Sequence, residues 1–181
     1  MQERPNTIVL ALVCLVLVAL AAGSRLAELP PNFTAVGAVA LFAGFFFRDR
    51  RFAVGVPLAA MLLSDAVIGF YDWPMMAAVY GAIALPALWS ATWPGRAGVA
   101  RIALASAGTG VGFFIITNFV WWLTWSGNRS LAGVIESYVA ALPFLKYTLA
   151  GNLFFAAVVF GCYETVRRAA AAAGSLKQLP A

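Results

Sequence analysis

Histidine is absent from the 181-residue sequence, which excludes histidine metal centres and histidine acid–base catalysis. Charge is scarce. Only 10% of residues are Asp, Glu, Lys or Arg, against 63% hydrophobic, whereas a soluble domain carries about a quarter charged residues. Cysteine is nearly missing. Cys14 and Cys162 lie in different apolar runs with no CxxC spacing, so they read as small apolar fillers rather than ligands or a disulfide. No Walker A lysine motif occurs, so any ATP-derived energy must come from a partner. No cofactor or metal is expected.

What is present is apolar sequence in runs of membrane-spanning length. The runs are too long and continuous for barrel strands, and backbone groups in lipid must be bonded internally. The fold class is therefore an all-α integral membrane protein. Six spans are expected near residues 7–24, 33–47, 52–71, 74–93, 102–125 and 148–166. The second is short and could begin earlier, near Leu29. Residues 1–170 form one transmembrane domain, and 171–181 a cytoplasmic tail that stops being helical near Gly174. A rival reading of the first span is a cleavable signal peptide, with Arg4 before the apolar core and a small-residue ALA at 19–21.

The net charge of +5 could suggest nucleic acid, but the basic residues sit in short loops, where membrane orientation explains them better. With a cytoplasmic N-terminus, the inner segments hold Arg4, Arg48, Arg50, Arg51, Arg96, Arg101, Arg167, Arg168 and Lys177. The outer segments hold Arg25, Arg129 and Lys146. This bias places both termini in the cytoplasm of a multi-pass protein. Between spans five and six, Leu131, Val134, Ile135, Tyr138, Val139 and Leu142 share one helical face. They predict a short extra amphipathic helix on the outer surface, ended near Pro143. It could be a connector or a lid.

Asp65 interrupts the run MLLSDAVIGF. A carboxylate at a helix centre costs roughly 2.5–3.5 kcal/mol on an insertion scale, and acids within spans are functional candidates by default. The alternative is a structural carboxylate bonded to neighbouring hydroxyls or amides. Met61, Asp65, Ile68 and Asp72 share a face that leads to the outer surface. In TNFVWWLTW, Asn118, Trp121, Trp122 and Trp125 share another. That face is either an interfacial tryptophan belt or a stacking wall for a ring-shaped ligand, and Asn118 is expected to seek partners across helices. Gly108 and Gly112 form a GxxxG pair suited to close helix packing. Asn152 lies about one turn inside the outer end of span six, and Tyr80 a few residues below the surface in span four. Asn32 and Thr34 stand at the start of span two, as helix caps or as pocket groups. These polar groups fall in the outer half of the chain, while the inner halves are apolar. A proton path would place polar groups through the whole thickness. A cluster at one depth predicts a pocket open to one side.

The stretches PNFTAVGAVALFAGFFFRDR, VPLAAMLLSDAVIGFYDW, ITNFVWWL and LPFLKYTLAGNLFF resemble an uncharacterised bacterial family of membrane proteins regarded as transporters. That family in turn looks like the substrate-binding S components of energy-coupling factor (ECF) transporters. The resemblance implies a six-helix bundle in the bacterial inner membrane that takes up a vitamin or cofactor precursor. It also implies an ECF-type T component and ATPases as partners. S components often carry an AxxxA pattern on the first helix for docking the T component, and here only Ala19 and Gly23 stand at that spacing. The substrate-binding set expected is Asp65, Asn118, Asn152, Trp121, Trp122, Tyr80, Asn32 and Thr34. A second reading is a structural or assembly subunit of a membrane complex without its own ligand. An enzyme is the weakest of the three, because Asp65 has no clear catalytic partner nearby in sequence.

Overall fold

The computed structural model describes residues 7–174 and contains, among them, six helices. They are α1 (Thr7–Leu26), α2 (Val36–Phe47), α3 (Arg50–Ile68), α4 (Trp73–Ser90), α5 (Val99–Trp125) and α6 (Leu131–Ala172). Five are long and apolar enough to cross a membrane, and α2 is the exception. The chain is a multi-pass membrane protein by helix length and hydropathy. One end of the bundle carries the connections 27–35, 69–72 and 126–130; the other carries 48–49 and 91–98. Arg4 and Lys177 of the charge count, and the tail from residue 175 onward, lie outside the described residues. Helix α6 does end beside Gly174, which takes the left-handed conformation at φ 71°.

The short α2 is the core. It touches all five other helices, and all of it except Gly37 and Phe47 is buried. At 12 residues it is about 18 Å long, well short of the ~30 Å hydrocarbon layer. The expected start near residue 33, or earlier at Leu29, is therefore too early: residues 27–35 are irregular. Irregular backbone at membrane depth is tolerated where protein buries it or where it lines a cavity. Here Phe33 packs against the rings of Phe154 and Phe155, with centroids 5.8 and 5.6 Å away. Ala35 is fully buried.

Asn32 and Thr34 do not cap α2. Its N-cap is Ala35, with no side-chain cap. Ser24 of α1 takes that role from outside, its Oγ accepting from the Ala35 N–H at 2.9 Å while donating to the Ala21 carbonyl at 2.8 Å. Ser24→Ala should lower stability by about 1 kcal/mol, read as a lower thermal midpoint in detergent. An unchanged midpoint would mean that the Ala35 N–H finds another acceptor.

The separate outer helix is not seen. Residues 131 to 172 form one helix of 42 residues with Pro143 inside it. Proline removes one backbone donor, but helix-favouring alanine and leucine continue on both sides, and proline is tolerated in membrane helices. The GxxxG expectation also moves. A Cβ built at Gly108 or Gly112 would meet nothing within 4 Å, and the same holds for Gly23 on α1. The close approach on α5 is at Gly110, where a Cβ would lie 3.0 Å from Leu149 and 3.1 Å from the Asn152 amide nitrogen.

Candidate functional site

Asp65 sits in the last turn of α3 and is fully buried. As in the structural alternative, it meets a hydroxyl: Tyr80 of α4, expected as a pocket group, donates from Oη to Asp65 Oδ2 at 2.7 Å. The other oxygen is met by a group the sequence reading had counted only as loop charge. Arg25, in the last turn of α1, places Nη2 2.6 Å from Asp65 Oδ1. That oxygen has no hydrogen-bond partner apart from this guanidinium among the described residues. Arg25 Nη1 also donates to Ser64 Oγ at 2.5 Å and to the Met61 carbonyl at 3.3 Å. One buried ion pair thus ties α1, α3 and α4 together at one end of the bundle. A lone cation on one span at the depth of a lone acid on another was the sequence signal for this pair.

Asp65 is spent on this clamp and does not itself line a cavity. Arg25 does. It forms part of the wall of a cavity of about 220 Å³. The polar lining is completed by Asn32, Thr34, Tyr71, Thr109, Thr148 and Asn152. Apolar wall comes from Met61, Val79, Ile83 and Phe113. Tyr71 belongs to the α3–α4 connection. Burial, with the Asp65 carboxylate nearby, pushes its phenol up to about 12, so it stays protonated and can donate.

Two features stand out in this cavity. Asn152, on α6, is 4% exposed, and its amide makes no hydrogen bond among the described residues. Its position is imposed by glycines: a Cβ at Gly37 would collide with Asn152 Oδ1, and one at Gly110 would crowd Nδ2. The second feature is the start of α2. Val36 and Gly37 line the cavity, and Ser24 meets only the Ala35 N–H at this helix end. The first turn of a helix offers free N–H groups and a partial positive charge. An acceptor entering here would meet those donors, the Asn152 amide and the flank of the Arg25 guanidinium.

A second cavity, also about 220 Å³, adjoins the first. Asn32, Val79, Phe113 and Thr148 belong to both. Its own lining includes Met75, Thr117, Asn118, Trp121, Ala141 and Phe144. Asn118 does not bond across helices as expected; its Nδ2 donates to the Phe114 carbonyl of its own helix at 2.8 Å. The tryptophan face is divided. Trp121 lines the second cavity, but Trp122 turns to the α5–α6 connection, where Nε1 donates to the Asn128 carbonyl at 3.1 Å. Asp72 is taken up by structure as the N-cap of α4, accepting from Met75 N–H at 3.2 Å, and Pro74 follows in the first turn as expected.

Of the predicted set, Asn152, Asn32 and Thr34 line the first cavity, with Asn32 also reaching the second beside Asn118 and Trp121. Tyr80 acts behind the wall through Asp65. Arg25, Tyr71, Thr109 and Thr148 were missed, being ordinary residues of loops and helix faces until the fold brings them together. Among the described residues no group of three or more Cys, Asp or Glu could hold a metal ion. Comparisons with curated proteins and with solved structures gave no match. Residues 3–174 match a family model described as a family of unknown function, DUF6580, and the chain belongs to that family.

Proposed function

We propose that this protein is a membrane-embedded binding protein for a small organic solute, working in uptake in the manner of an ECF S component. The observation that carries this reading is the Asn152 amide, which makes no hydrogen bond among the described residues and opens onto a cavity beside the first turn of α2. An amide open to a cavity is free to bond an entering ligand, each such hydrogen bond contributing about 0.5–1.5 kcal/mol. The solute presents a carboxylate or carbonyl to the α2 N–H groups, Asn152 and Arg25. Its apolar body lies against Phe113 and Val79, and a ring reaching the second lobe meets Trp121. Each lobe is smaller than the ~300–1,000 Å³ usual for ligand pockets, which favours a compact solute or one that spans both.

The bias of arginine and lysine between the two ends of the bundle supports an outward-facing pocket, cytoplasmic termini and residence in a bacterial inner membrane. Transport energy then comes from a partner such as a T component with ATPases. Native mass spectrometry in mild detergent tests the reading, with wild type beside Asn152→Ala. Wild type should carry a small bound mass, and the variant should hold it roughly tenfold more weakly for each hydrogen bond lost. Equal retention in both would refute the proposed contact.

The Asp65 clamp favours a second reading, a structural subunit of a larger assembly, because the buried acid is satisfied by Arg25 and Tyr80 without any ligand. Absence of a bound mass in wild type, together with a retained larger assembly, would select it.

A further inference from the structure

A larger cavity lies elsewhere. It is a trough of about 830 Å³ between the first half of α5 and the second half of α6, at the end opposite the solute site. Its floor is apolar, with Phe45, Ile102, Ala156 and Phe160. It is hollow because the facing side chains are small: Ala103 on α5, Ala157 and Gly161 on α6. A Cβ at Gly161 would meet nothing within 4 Å. Along α6 the trough runs from Leu153 to Arg167, fourteen residues or about 21 Å. One leaflet of hydrocarbon is about 15 Å deep, so the trough extends through a leaflet. Its flanks face outward, with Val99 85% and Leu153 41% exposed.

The mouth is basic. Arg96, Arg167 and Arg168 line it against a single acid, Glu164. Glu164 accepts from Arg167 with both oxygens, at 2.8 and 2.7 Å, and from Arg168 at 2.8 Å. This arrangement neutralises one charge and holds two guanidiniums in place, while Arg96 makes no ion pair among the described residues. Nearby, Arg101 lies over the Trp93 ring at 5.7 Å, and Arg48 donates to the Gly95 carbonyl at 3.4 Å. A chain-wide apolar trough ending in excess positive charge at headgroup depth is complementary to one class of molecule.

We propose that this trough is a binding site for an anionic phospholipid. An acyl chain lies between α5 and α6, and the phosphate lies among Arg96, Arg167 and Arg168. Such a lipid fills the gap that the small residues leave in the helix pair. It also fixes the depth at which this end of the bundle sits.

The test is native mass spectrometry of the full chain in detergent, titrated with phosphatidylglycerol or with phosphatidylcholine of the same acyl chains. Four forms are compared: wild type, Arg96→Gln with Arg168→Gln, Gly161→Leu, which fills the trough, and Arg129→Gln as a control. The two arginines are exposed at the surface, and a thermal melt of each form confirms folding. Wild type should retain phosphatidylglycerol in preference to phosphatidylcholine. Each arginine removed should weaken that retention roughly fivefold, and Gly161→Leu should weaken both lipids. Arg129→Gln at the far end should change nothing. Equal retention of the two lipids by wild type, or retention unaffected by the three substitutions in the trough, would overturn the proposal. So would a co-purifying polypeptide released by Gly161→Leu, which would make the trough a helix-docking interface.

Discussion

Replacing Asp65 with alanine should destabilise the bundle by roughly 3–5 kcal/mol, the usual result of leaving one member of a buried ion pair without the other. The Arg25 side chain is 16% exposed and the Asp65 side chain 1%. Without the carboxylate, the guanidinium keeps only Ser64 Oγ and the Met61 carbonyl, and Tyr80 loses its acceptor. The same physics predicts recovery. A double substitution, Arg25→Met with Asp65→Leu, removes both desolvated charges and should regain most of the lost stability. Thermal or SDS-induced unfolding in detergent micelles reads both effects. If Asp65→Ala melts like wild type, the clamp contributes nothing to holding α1, α3 and α4 together. If the double variant is as unstable as the single one, the loss comes from packing rather than from an orphaned charge.

Gly44→Ala should be nearly as damaging, by about 1–3 kcal/mol and toward the upper end. A Cβ at this position would collide with the Ala87 backbone carbonyl and with Ser90 Oγ. The serine hydroxyl can rotate away, but the carbonyl is part of α4 and can move only with the helix. One added methyl must therefore push α4 off α2, the helix on which the rest of the bundle packs. Gly161→Ala is the matched control, because a Cβ there meets no atom within 4 Å. It should lie within about 0.5 kcal/mol of wild type. Unfolding in detergent distinguishes the two, and equal stability would mean that α2 and α4 separate without loss.

The membrane class was legible because composition and run length bound it directly. Five of the six expected spans correspond to long apolar helices; four have ends shifted by a few residues, while the sixth helix begins at Leu131, well before the expected residue 148. The failures share a cause. The early start of α2 and the stop at Pro143 were both inferred from local signals, a polar Asn-Phe-Thr before an apolar run and a proline within a helical pattern. In each case the neighbours decided otherwise. Phe154, Phe155 and the Ser24 hydroxyl hold residues 33–35 out of the helix, and the flanking residues of α6 carry it through the proline. At the candidate site, polarity at one depth singled out Asn152, Asn32 and Thr34, which line one cavity. It misjudged Asn118, which satisfies itself one turn back on its own helix. Arg25 escaped because its charge had already been explained by orientation. A residue can serve topology and a buried pair together, and only the position of its neighbour distinguishes the two uses.

The length of α6 has a consequence for how the protein fits its bilayer. Lys146 and Arg167 are twenty-one residues apart on this helix, about 31 Å, which matches a hydrocarbon thickness of about 30 Å. The two cations set that stretch at a fixed height. Residues 131–145 then lie beyond it, yet Leu131, Ile135, Val139 and Leu142 are all more than half exposed. Lipid would cover these side chains if the leaflet rose around the α5–α6 hairpin or if the helix bent near Pro143, where a ladder bond is missing. This is hydrophobic mismatch concentrated at one corner of the molecule. The same corner supplies Ala141 and Phe144 to the second cavity, so a bend imposed there by a thinner or thicker membrane would change the shape of the pocket.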